Sequence, residues 1–177
     1  MNVLDLCCGT KSATAPFRNR GGHQVIGVDV VSDFRPEIIA DVREFTAIPG
    51  EYDFIWASPP CTEFAREFMP WCRTGVAPDM AIVKACARII EIAKPKYWVI
   101  ENVKGAVKYF QEIGLGYPRA IVGPFYLWGN FPPLAEINRR NWRKKETRSS
   151  SADAARGAIP IELAEAVYQA VTLQDRF

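Results

Sequence analysis

Histidine and paired cysteines, from which many metal sites and disulfide frameworks are built, are scarce in this sequence. Its 177 residues include one histidine and five cysteines, and no two cysteines have the Cys-x-x-Cys spacing. Cys7 and Cys8 are adjacent, so their side chains would point in different directions on an extended strand. The sequence therefore predicts no metal site and free thiols, as in a cytoplasmic protein.

Long apolar runs and a dominant charge are also missing. Charged residues or prolines interrupt every apolar stretch before the ~20 residues needed to cross a bilayer, and no charged-then-apolar leader precedes the first strand. We therefore expect no membrane association. Lys and Arg number 22 against 20 for Asp and Glu, so the net charge of +2 neither requires nor excludes a nucleic-acid partner. The length and the hydrophobic content of 49% fit one domain over residues 1–177.

Four short runs rich in β-branched and aromatic residues have the continuous apolar character of strands buried on both faces of a parallel sheet. They are Val3–Leu6, Gln24–Asp29, Tyr52–Ala57 and Tyr97–Ile100. Between the last two runs, residues 79–93 carry apolar side chains at helical spacing. This alternation of strands and helices predicts an α/β fold with a doubly wound, mostly parallel sheet.

Residues 114–158 differ in composition from the rest of the chain. Glycine and proline recur so often that we predict a hairpin and loops, with one short apolar patch at Pro124–Trp128. Six of the ten residues in Arg139–Arg148 are cationic. A final helix is predicted from Pro160, because proline is favoured in the first turn and apolar residues then recur along one face.

Residues suited to ligand binding follow the predicted strands at their carboxyl ends, where open α/β sheets bind ligands. They are the turn Cys7–Ser12, Asp29, Asp41, Ser58–Cys61 and Glu101–Val103. A small-residue turn before a helix lets a ligand approach the backbone, and Asp29 is placed to accept hydrogen bonds from ribose hydroxyls. Two prolines fix the backbone before Cys61, which is either a small core residue or a rigidly held nucleophile.

Together these motifs resemble those of the DNA cytosine-5 methyltransferases. Asp5–Gly9 resembles that family's S-adenosylmethionine loop, Ser58–Cys61 its Pro-Pro-Cys motif, Glu101–Val103 its Glu-Asn-Val motif, and Gly157–Pro160 its last motif, which closes over the methionine end of the cofactor. The resemblance implies a Rossmann-like, class I S-adenosylmethionine-dependent methyltransferase fold. Because no large target-recognition region is present, it implies a small phage-like or stand-alone member in the cytoplasm of a bacterial or phage-infected cell, expected as a monomer with a dimer left open.

The resemblance implies a covalent mechanism on a flipped-out cytosine. Cys61 would attack C6 so that C5 can take a methyl group, and Glu101 would bind the exocyclic amine and N3. The family's Gln-x-Arg-x-Arg stretch has no clean counterpart, so Arg119 is the candidate for the arginine that holds the cytosine carbonyl. Pro60 and Asn102 are expected to contact the substrate.

By the same resemblance, residues around the first strands would bind S-adenosylmethionine. Asp29 would take the ribose, Val30 would pack on the adenine, and Asp41 would reach its exocyclic amine. The other expected contacts are Leu6, Cys7, Gly9, Thr10, Val42, Ser58 and Pro59. Lys11 departs from the family pattern, because it would bring a cation close to the positively charged sulfonium.

The basic segment is the predicted DNA contact. Its cations would neutralise phosphates while its one tryptophan stacks or wedges near the flipped base, and the alternative is a solvated basic loop. The residues concerned are Arg139, Arg140, Trp142, Arg143, Lys144 and Lys145.

Two other functions stay open at the level of the sequence. An amino-methyltransferase also carries a Pro-Pro motif after its fourth strand, although Cys61 and Glu101 argue against that class. A cofactor-binding module without turnover is the other alternative. RNA or free nucleotides as substrate, and a derivative of S-adenosylmethionine as donor, are equally compatible with these motifs.

Overall fold

The predicted strands join one seven-stranded sheet in a computed structural model, which describes residues 1–66, 75–137 and 157–173. The strands are β1 (Asn2–Leu6), β2 (Gln24–Asp29), β3 (Ile38–Ile39), β4 (Phe54–Ala57), β5 (Tyr97–Asn102), β6 (Ala120–Val122) and β7 (Phe125–Asn130). The helices in the described part are α1 (Ala15–Asn19), α2 (Thr62–Arg66), α3 (Ala81–Ala93), α4 (Val107–Glu112) and α5 (Ile161–Leu173).

The sheet has the order β3-β2-β1-β4-β5-β7-β6. The chain therefore adds β2 and β3 on one side of β1 and then crosses to the other side, where it adds β4 and the later strands. The pairs among the first five strands are parallel, whereas β7 is antiparallel to both β5 and β6. The doubly wound, mostly parallel sheet predicted from the sequence is confirmed. The hairpin predicted within residues 114–158 is formed by β6 and β7.

Both faces of the sheet are covered, which explains why its central strands are apolar throughout. Alternate residues of β1, such as Leu4 and Leu6, pack with α3 and α4 in one core cluster. Val3 of β1 packs with Phe54 and Trp56 of β4 and with α1 and α5 in the other cluster. The two layers leave the carboxyl ends of the strands as the edge where loops from different strands can meet.

The helices begin and end at the signals expected from the sequence. Asp79 accepts a hydrogen bond from the backbone N–H of Ala81 at 2.8 Å, and Lys94 ends α3 in a left-handed conformation one residue before Pro95. The carbonyl of Pro160 accepts hydrogen bonds from Leu163 and Ala164, which begins α5. In the described ranges, no helix is long and apolar enough to cross a membrane.

Candidate active site

The loops that carry the predicted site residues meet where the winding of the sheet reverses, between β1 and β4. The backbone N–H of Ser58 donates to the carbonyl of Leu6 at 3.0 Å, which joins the two loops. A cavity of about 160 Å³ lies there. It is lined by Asp5, Cys7, Cys8, Gly9, Thr10, Ser12, Ala13, Phe34, Ser58, Gly157 and Ile159. Such a reversal is the usual ligand position in open α/β sheets.

The turn after β1 is held open by Asp29 and by its own backbone conformation. Cys7, Gly9 and Lys11 all have positive φ, at 55°, 46° and 59°. The Asp29 carboxylate accepts hydrogen bonds from the N–H groups of Gly9 and Val31, both at 2.9 Å. Each carboxylate oxygen keeps a further lone pair, so Asp29 can brace the turn and still accept a hydroxyl group.

Lys11 is neutralised within the protein, which accounts for its presence beside this turn. Its ammonium group pairs with Glu37 at 3.0 Å and donates to the carbonyl of Arg35. Glu37 also pairs with Arg18 at 2.8 Å. Burial opposes ionisation of Glu37, but hydrogen bonds from Arg18, Lys11 and Gly27 outweigh it and lower the pKa of the carboxyl to about 2. Glu37 was not among the predicted site residues.

Asp5 begins the motif Asp5–Gly9 but was not among the predicted cofactor contacts, because it lies inside an otherwise apolar strand. Its side chain is almost completely buried, and the Thr14 hydroxyl donates to Oδ2. Among the described residues, Oδ1 has no hydrogen-bond partner although it is buried. Burial raises the pKa of Asp5 to about 7, against the opposing hydrogen bond from Thr14. Asp5 is one of the residues that line the cavity, and its carboxyl group has unused acceptor capacity.

The other predicted cofactor residues lie along the same side of the sheet with different exposures. Val30 is 66% exposed directly after β2, as a residue that packs on a planar ligand requires. Asp41 pairs with Arg43, whose hydrogen bonds lower the pKa of Asp41 to about 2. Val42 differs from its prediction, because its side chain is buried in the core. Leu6 is also a core residue, so both can meet a ligand only through backbone atoms.

Strand register brings the two predicted catalytic residues together. Ala57 pairs with Ile100 in adjacent parallel strands, so Ser58–Cys61 and Glu101–Val103 leave the sheet side by side. Cys61 is half-buried and precedes α2, where its carbonyl accepts the N–H of Ala65 at 2.8 Å. Burial and the nearby charge of Glu101 raise the pKa of the Cys61 thiol. Cys61 is thus a thiol in the free protein at neutral pH.

Glu101 is buried, being only 8% exposed. This burial raises the pKa of its carboxyl group to about 7, and a hydrogen bond with the side chain of Ser58 acts in the opposite direction. Ser58 in turn accepts a hydrogen bond from the indole N–H of Trp56 at 2.8 Å. Near neutral pH Glu101 is consequently able both to hold and to release a proton.

Asn102 has a different position from the one predicted for a substrate contact. Its side chain is completely buried. The amide nitrogen donates to the carbonyl of Pro59 at 3.1 Å, and the amide oxygen accepts the N–H of Val103 at 2.9 Å. Asn102 therefore ties the end of β5 to the turn before Cys61, because its polar atoms are engaged by the backbone. Pro60, the next residue of that turn, is exposed.

Arg119 lies at the start of β6, which is two strands away from β5 in the sheet. The guanidinium group of Arg119 lies over the ring of Phe131, 5.6 Å from the centroid, and the backbone N–H of Arg119 donates to the carbonyl of Leu127 at 2.8 Å. These contacts do not bring it to Cys61 or Glu101, so its assigned role stays a prediction. The predicted DNA contacts Arg139, Arg140, Trp142, Arg143, Lys144 and Lys145 lie outside the described residues.

Known proteins resemble this chain in sequence or in fold. The frog virus 3 (isolate Goorha) protein described as "Probable DNA (cytosine-5)-methyltransferase" is 27% identical in an alignment of length 114 that covers 58% of this chain and 53% of that protein. The chain thus spans about half the length of this relative. The methyltransferase EhMeth of Entamoeba histolytica superposes with a TM-score of 0.50 at 19% identity, covering 78% of this chain and 55% of that one. A SAM-dependent methyltransferase from Aquifex aeolicus gives a TM-score of 0.45 at 14% identity, covering 73% and 79% of the two chains.

The Entamoeba structure shows that the fold is the Rossmann-like fold of class I methyltransferases, as predicted. A family model described as C-5 cytosine-specific DNA methylase matches residues 1–112. This match extends from β1 through α4 and includes the motifs that contain Cys61 and Glu101. It covers well over half of the 177 residues, and the chain therefore belongs to the C-5 cytosine-specific DNA methylase family.

Proposed function

We propose that this protein methylates C5 of cytosine in DNA through a transient bond between Cys61 and C6 of the base. The observation that carries the proposal is the juxtaposition of Cys61 and Glu101 at the ends of neighbouring strands, close enough for the charge of one to shift the pKa of the other. Membership of the cytosine-5 methylase family supports the same reaction.

The residues around the cavity fit S-adenosylmethionine as the methyl donor. The buried oxygen of Asp5 that has no partner among the described residues suits the ammonium group at the methionine end of the cofactor. Asp29 is positioned for the ribose, and the pairing of Lys11 with Glu37 removes a repulsion from the sulfonium. When bound, S-adenosylmethionine would supply the electrophilic methyl group that cytosine C5 takes up.

The catalytic pair would make C5 nucleophilic. Cys61, as the thiolate, forms a bond to C6, the electrons of the C5–C6 double bond become available at C5, and N3 receives the proton held by Glu101. Once C5 has taken the methyl group, the donor would leave as a neutral thioether. Water would then take the C5 proton, the C5–H electrons would re-form the C5–C6 double bond as the thiolate leaves C6, and N3 would return its proton to Glu101. Asn102 would contribute indirectly by fixing the turn that carries Cys61.

The ionisation of the pair limits this reaction at both ends of the pH range. The productive form of the pair carries one proton, which is on Glu101 while Cys61 is a thiolate; the same single proton could instead be on Cys61. The pair carries one proton at pH values above the pKa of Glu101, about 7, and below the raised pKa of Cys61. Activity is therefore greatest between these two values.

Binding to DNA is proposed to rely on phosphate contacts. The basic segment from Arg139 to Arg148 would neutralise several phosphates, while Trp142 would stack on bases near the flipped cytosine. We infer a strong decrease of affinity with added salt and little sequence preference, because phosphate contacts carry no sequence information directly. The protein is proposed to act as a monomer.

Transfer of a labelled methyl group tests the proposal. The purified protein is incubated with methyl-labelled S-adenosylmethionine and duplex DNA, single-stranded DNA, RNA or free nucleotides, and the nucleosides are then separated. We expect label in 5-methylcytosine from DNA and none with Cys61→Ala, whereas Cys72→Ala serves as the cysteine control. Label in an exocyclic amino group would identify an amino-methyltransferase. Cofactor binding without transfer to any substrate would identify a binding module.

A further inference from the structure

A groove lies beside the strand that contains Glu101, between α4 and the β6–β7 hairpin. We propose that this groove holds an unpaired stretch of the DNA strand next to the target cytosine, with a base stacked on Tyr117 and a phosphate at Lys108. The inference rests on the proposed function, because it names the form of DNA that the same site would accept. It is separate from the basic segment Arg139–Arg148, which does not line the groove.

The lining of the groove combines aromatic rings with positive charge. The groove has a volume of about 520 Å³, within the range of roughly 300–1,000 Å³ that ligand pockets cover. Three tyrosines and two lysines line it, namely Tyr109, Tyr117, Tyr126, Lys104 and Lys108. In the described part of the chain, no aspartate or glutamate does. This combination suits a single nucleic-acid strand, because rings stack on bases and ammonium groups neutralise phosphates.

The cationic side of the groove is helical. A short 3₁₀ turn, Lys104–Ala106, continues directly into α4. The lining residues on this side recur three and four positions apart, as on one face of a helix, and are Lys104, Val107, Lys108 and Gln111. Both lysines are exposed, and Nζ of Lys108 lies 5.6 Å from the centroid of the Tyr109 ring. A phosphate bound at Lys108 would therefore lie close to an aromatic ring.

The other side of the groove is apolar and exposed. Ile121 of β6 and Tyr126 of β7 are paired residues, so their side chains share one face of the hairpin. Tyr117 is 77% exposed and Ile121 is 58% exposed. Exposed apolar side chains that lie together mark interaction sites. The ring of Tyr117 is consequently a surface on which a base can stack.

The groove is next to the proposed catalytic residues. Tyr126 pairs with the residue that follows Glu101, so the groove lies at the same edge of the sheet as the site. On the helical side, the ring centroid of Tyr109 is 6.0 Å from that of Phe64, and Phe64 follows Cys61 by one turn of α2. A DNA strand whose cytosine lies at Cys61 would therefore have a neighbouring nucleotide at the groove.

Binding by stacking selects unpaired DNA. Inside a duplex each base is paired and stacked between its neighbours, so a protein ring can reach its face only after the base has been extruded. An unpaired nucleotide presents its face without that cost. The groove would therefore favour single-stranded or locally opened DNA over intact duplex, with little sequence preference because every base has such a face.

Fluorescence anisotropy with a labelled single-stranded oligonucleotide, measured at several salt concentrations, tests the proposal. Tyr117→Ala should raise Kd roughly tenfold, the effect of losing one stacked base, and should leave the salt dependence unchanged. Lys108→Gln should make the slope of log K against log salt concentration less steep by about 0.7, the share of one phosphate contact on a single strand. Both side chains are exposed, so circular dichroism of the variants should match the wild type.

Two matched controls accompany these variants. Tyr117→Phe keeps a ring and should bind as the wild type does. Lys96→Gln removes an exposed lysine directly before β5, at the opposite edge of the sheet, and should leave both Kd and its salt dependence unchanged.

Three results would overturn the proposal. The first is an unchanged Kd for single-stranded DNA in both Tyr117→Ala and Lys108→Gln, which would place the strand elsewhere. The second is an equal loss of affinity for duplex and single-stranded DNA in Tyr117→Ala, because stacking on an unpaired base would then not be the cause. The third is a change of oligomeric state in Tyr117→Ala with unaltered DNA affinity, seen by analytical ultracentrifugation, which would identify a contact between copies of the chain.

The methyl-transfer assay separates this proposal from the proposed function. The predicted losses of binding, together with no methyl transfer by the wild type to any DNA, would support the groove and reject the function. Methylation of single-stranded DNA by the wild type and by Tyr117→Ala with the same KM would support the function and overturn the groove.

Discussion

Asp5 and Glu101 are buried carboxyl groups, and one oxygen of Asp5 has no hydrogen-bond partner among the described residues. Burial raises the pKa of each to about 7, so both would be partly charged in an apolar setting at neutral pH. Residues selected for stability alone are rarely left in this state, because burying a charge without a close opposite charge is costly. Asp5 lines the cavity and Glu101 lies beside Cys61, and these positions support the binding and catalytic roles proposed for them.

Replacement of Glu101 by glutamine should stabilise the fold in alkaline solution. The pKa of Glu101 is about 7 in the folded protein and has an ordinary value of 4.5. Because the folded pKa is the higher one, its favourable contribution is complete below pH 4.5 and is lost as pH rises through 7. We expect Glu101→Gln to raise the free energy of unfolding by up to roughly 3 kcal/mol at pH 8 and to have little effect at pH 4.5.

Urea unfolding at the two pH values measures this difference. Glu44→Gln, at an exposed glutamate, is the matched control and should change stability at neither pH. If Glu101→Gln were no more stabilising at pH 8 than at pH 4.5, the carboxyl group would not have the raised pKa on which its proton-transfer role depends.

Asp5→Asn should weaken binding of S-adenosylmethionine without weakening the fold. Loss of a charge-assisted hydrogen bond to an ammonium group costs about 1.5–3 kcal/mol, which is roughly a 10–100-fold increase in Kd. The same substitution removes a buried ionisable group, so the folded state should gain stability above pH 7. Isothermal titration calorimetry with S-adenosylmethionine measures the affinity.

The control for this substitution is Asp53→Asn, because Asp53 is exposed at the opposite end of the strands and accepts the N–H of Asn2 at 2.7 Å. It should leave Kd unchanged. An unaltered Kd in Asp5→Asn would show that Asp5 does not contact the cofactor.

At the scale of the elements, the β6–β7 hairpin supports β5, the strand that contains Glu101, by pairing with it. β7 pairs along β5 from Trp98 to Asn102. Gly129 has φ of 150°, and a Cβ atom there would lie 2.0 Å from the carbonyl oxygen of Trp98. Glycine is required because the two backbones approach too closely for any side chain.

Gly129→Ala is therefore expected to destabilise the protein on the order of 3 kcal/mol, since either the β5–β7 pairing or the backbone must shift. Thermal unfolding followed by circular dichroism measures the change. Gly21→Ala is the comparison, because a Cβ atom at Gly21 meets nothing within 4 Å. Equal midpoints for the two variants would contradict the close approach of β7 to β5.

Element boundaries were largely predictable, because strands and helices follow from local apolar patterns and capping residues. The positions of Asn102, Val42 and Asp5 were not, since they depend on which strands become neighbours and in what register. The hydrogen bond from the Asn102 side chain to the carbonyl of Pro59 joins residues 43 apart in the sequence. The motifs identified Asn102 as important, but its burial, which makes it a support for the loop, appears only in the folded structure.

At the scale of the whole molecule, the reversal of strand order between β1 and β4 brings the cofactor turn and the cysteine loop together. The sequence predicted this crevice because all candidate groups follow strands of a parallel sheet. It did not reveal the pairing of Lys11 with Glu37. That contact joins side chains from separate segments of the chain, so it is set by tertiary packing rather than by local pattern.

Formation of a covalent complex with 5-fluorocytosine DNA tests the central claim most directly. Fluorine at C5 cannot leave as a proton does, so the adduct between Cys61 and the base should persist after methyl transfer. We predict an intact mass equal to protein plus DNA plus one methyl group for the wild type, with the adduct peptide containing Cys61, and no such species for Cys61→Ser. Formation of 5-methylcytosine by Cys61→Ala, or an adduct that survives in Cys61→Ser, would contradict the account.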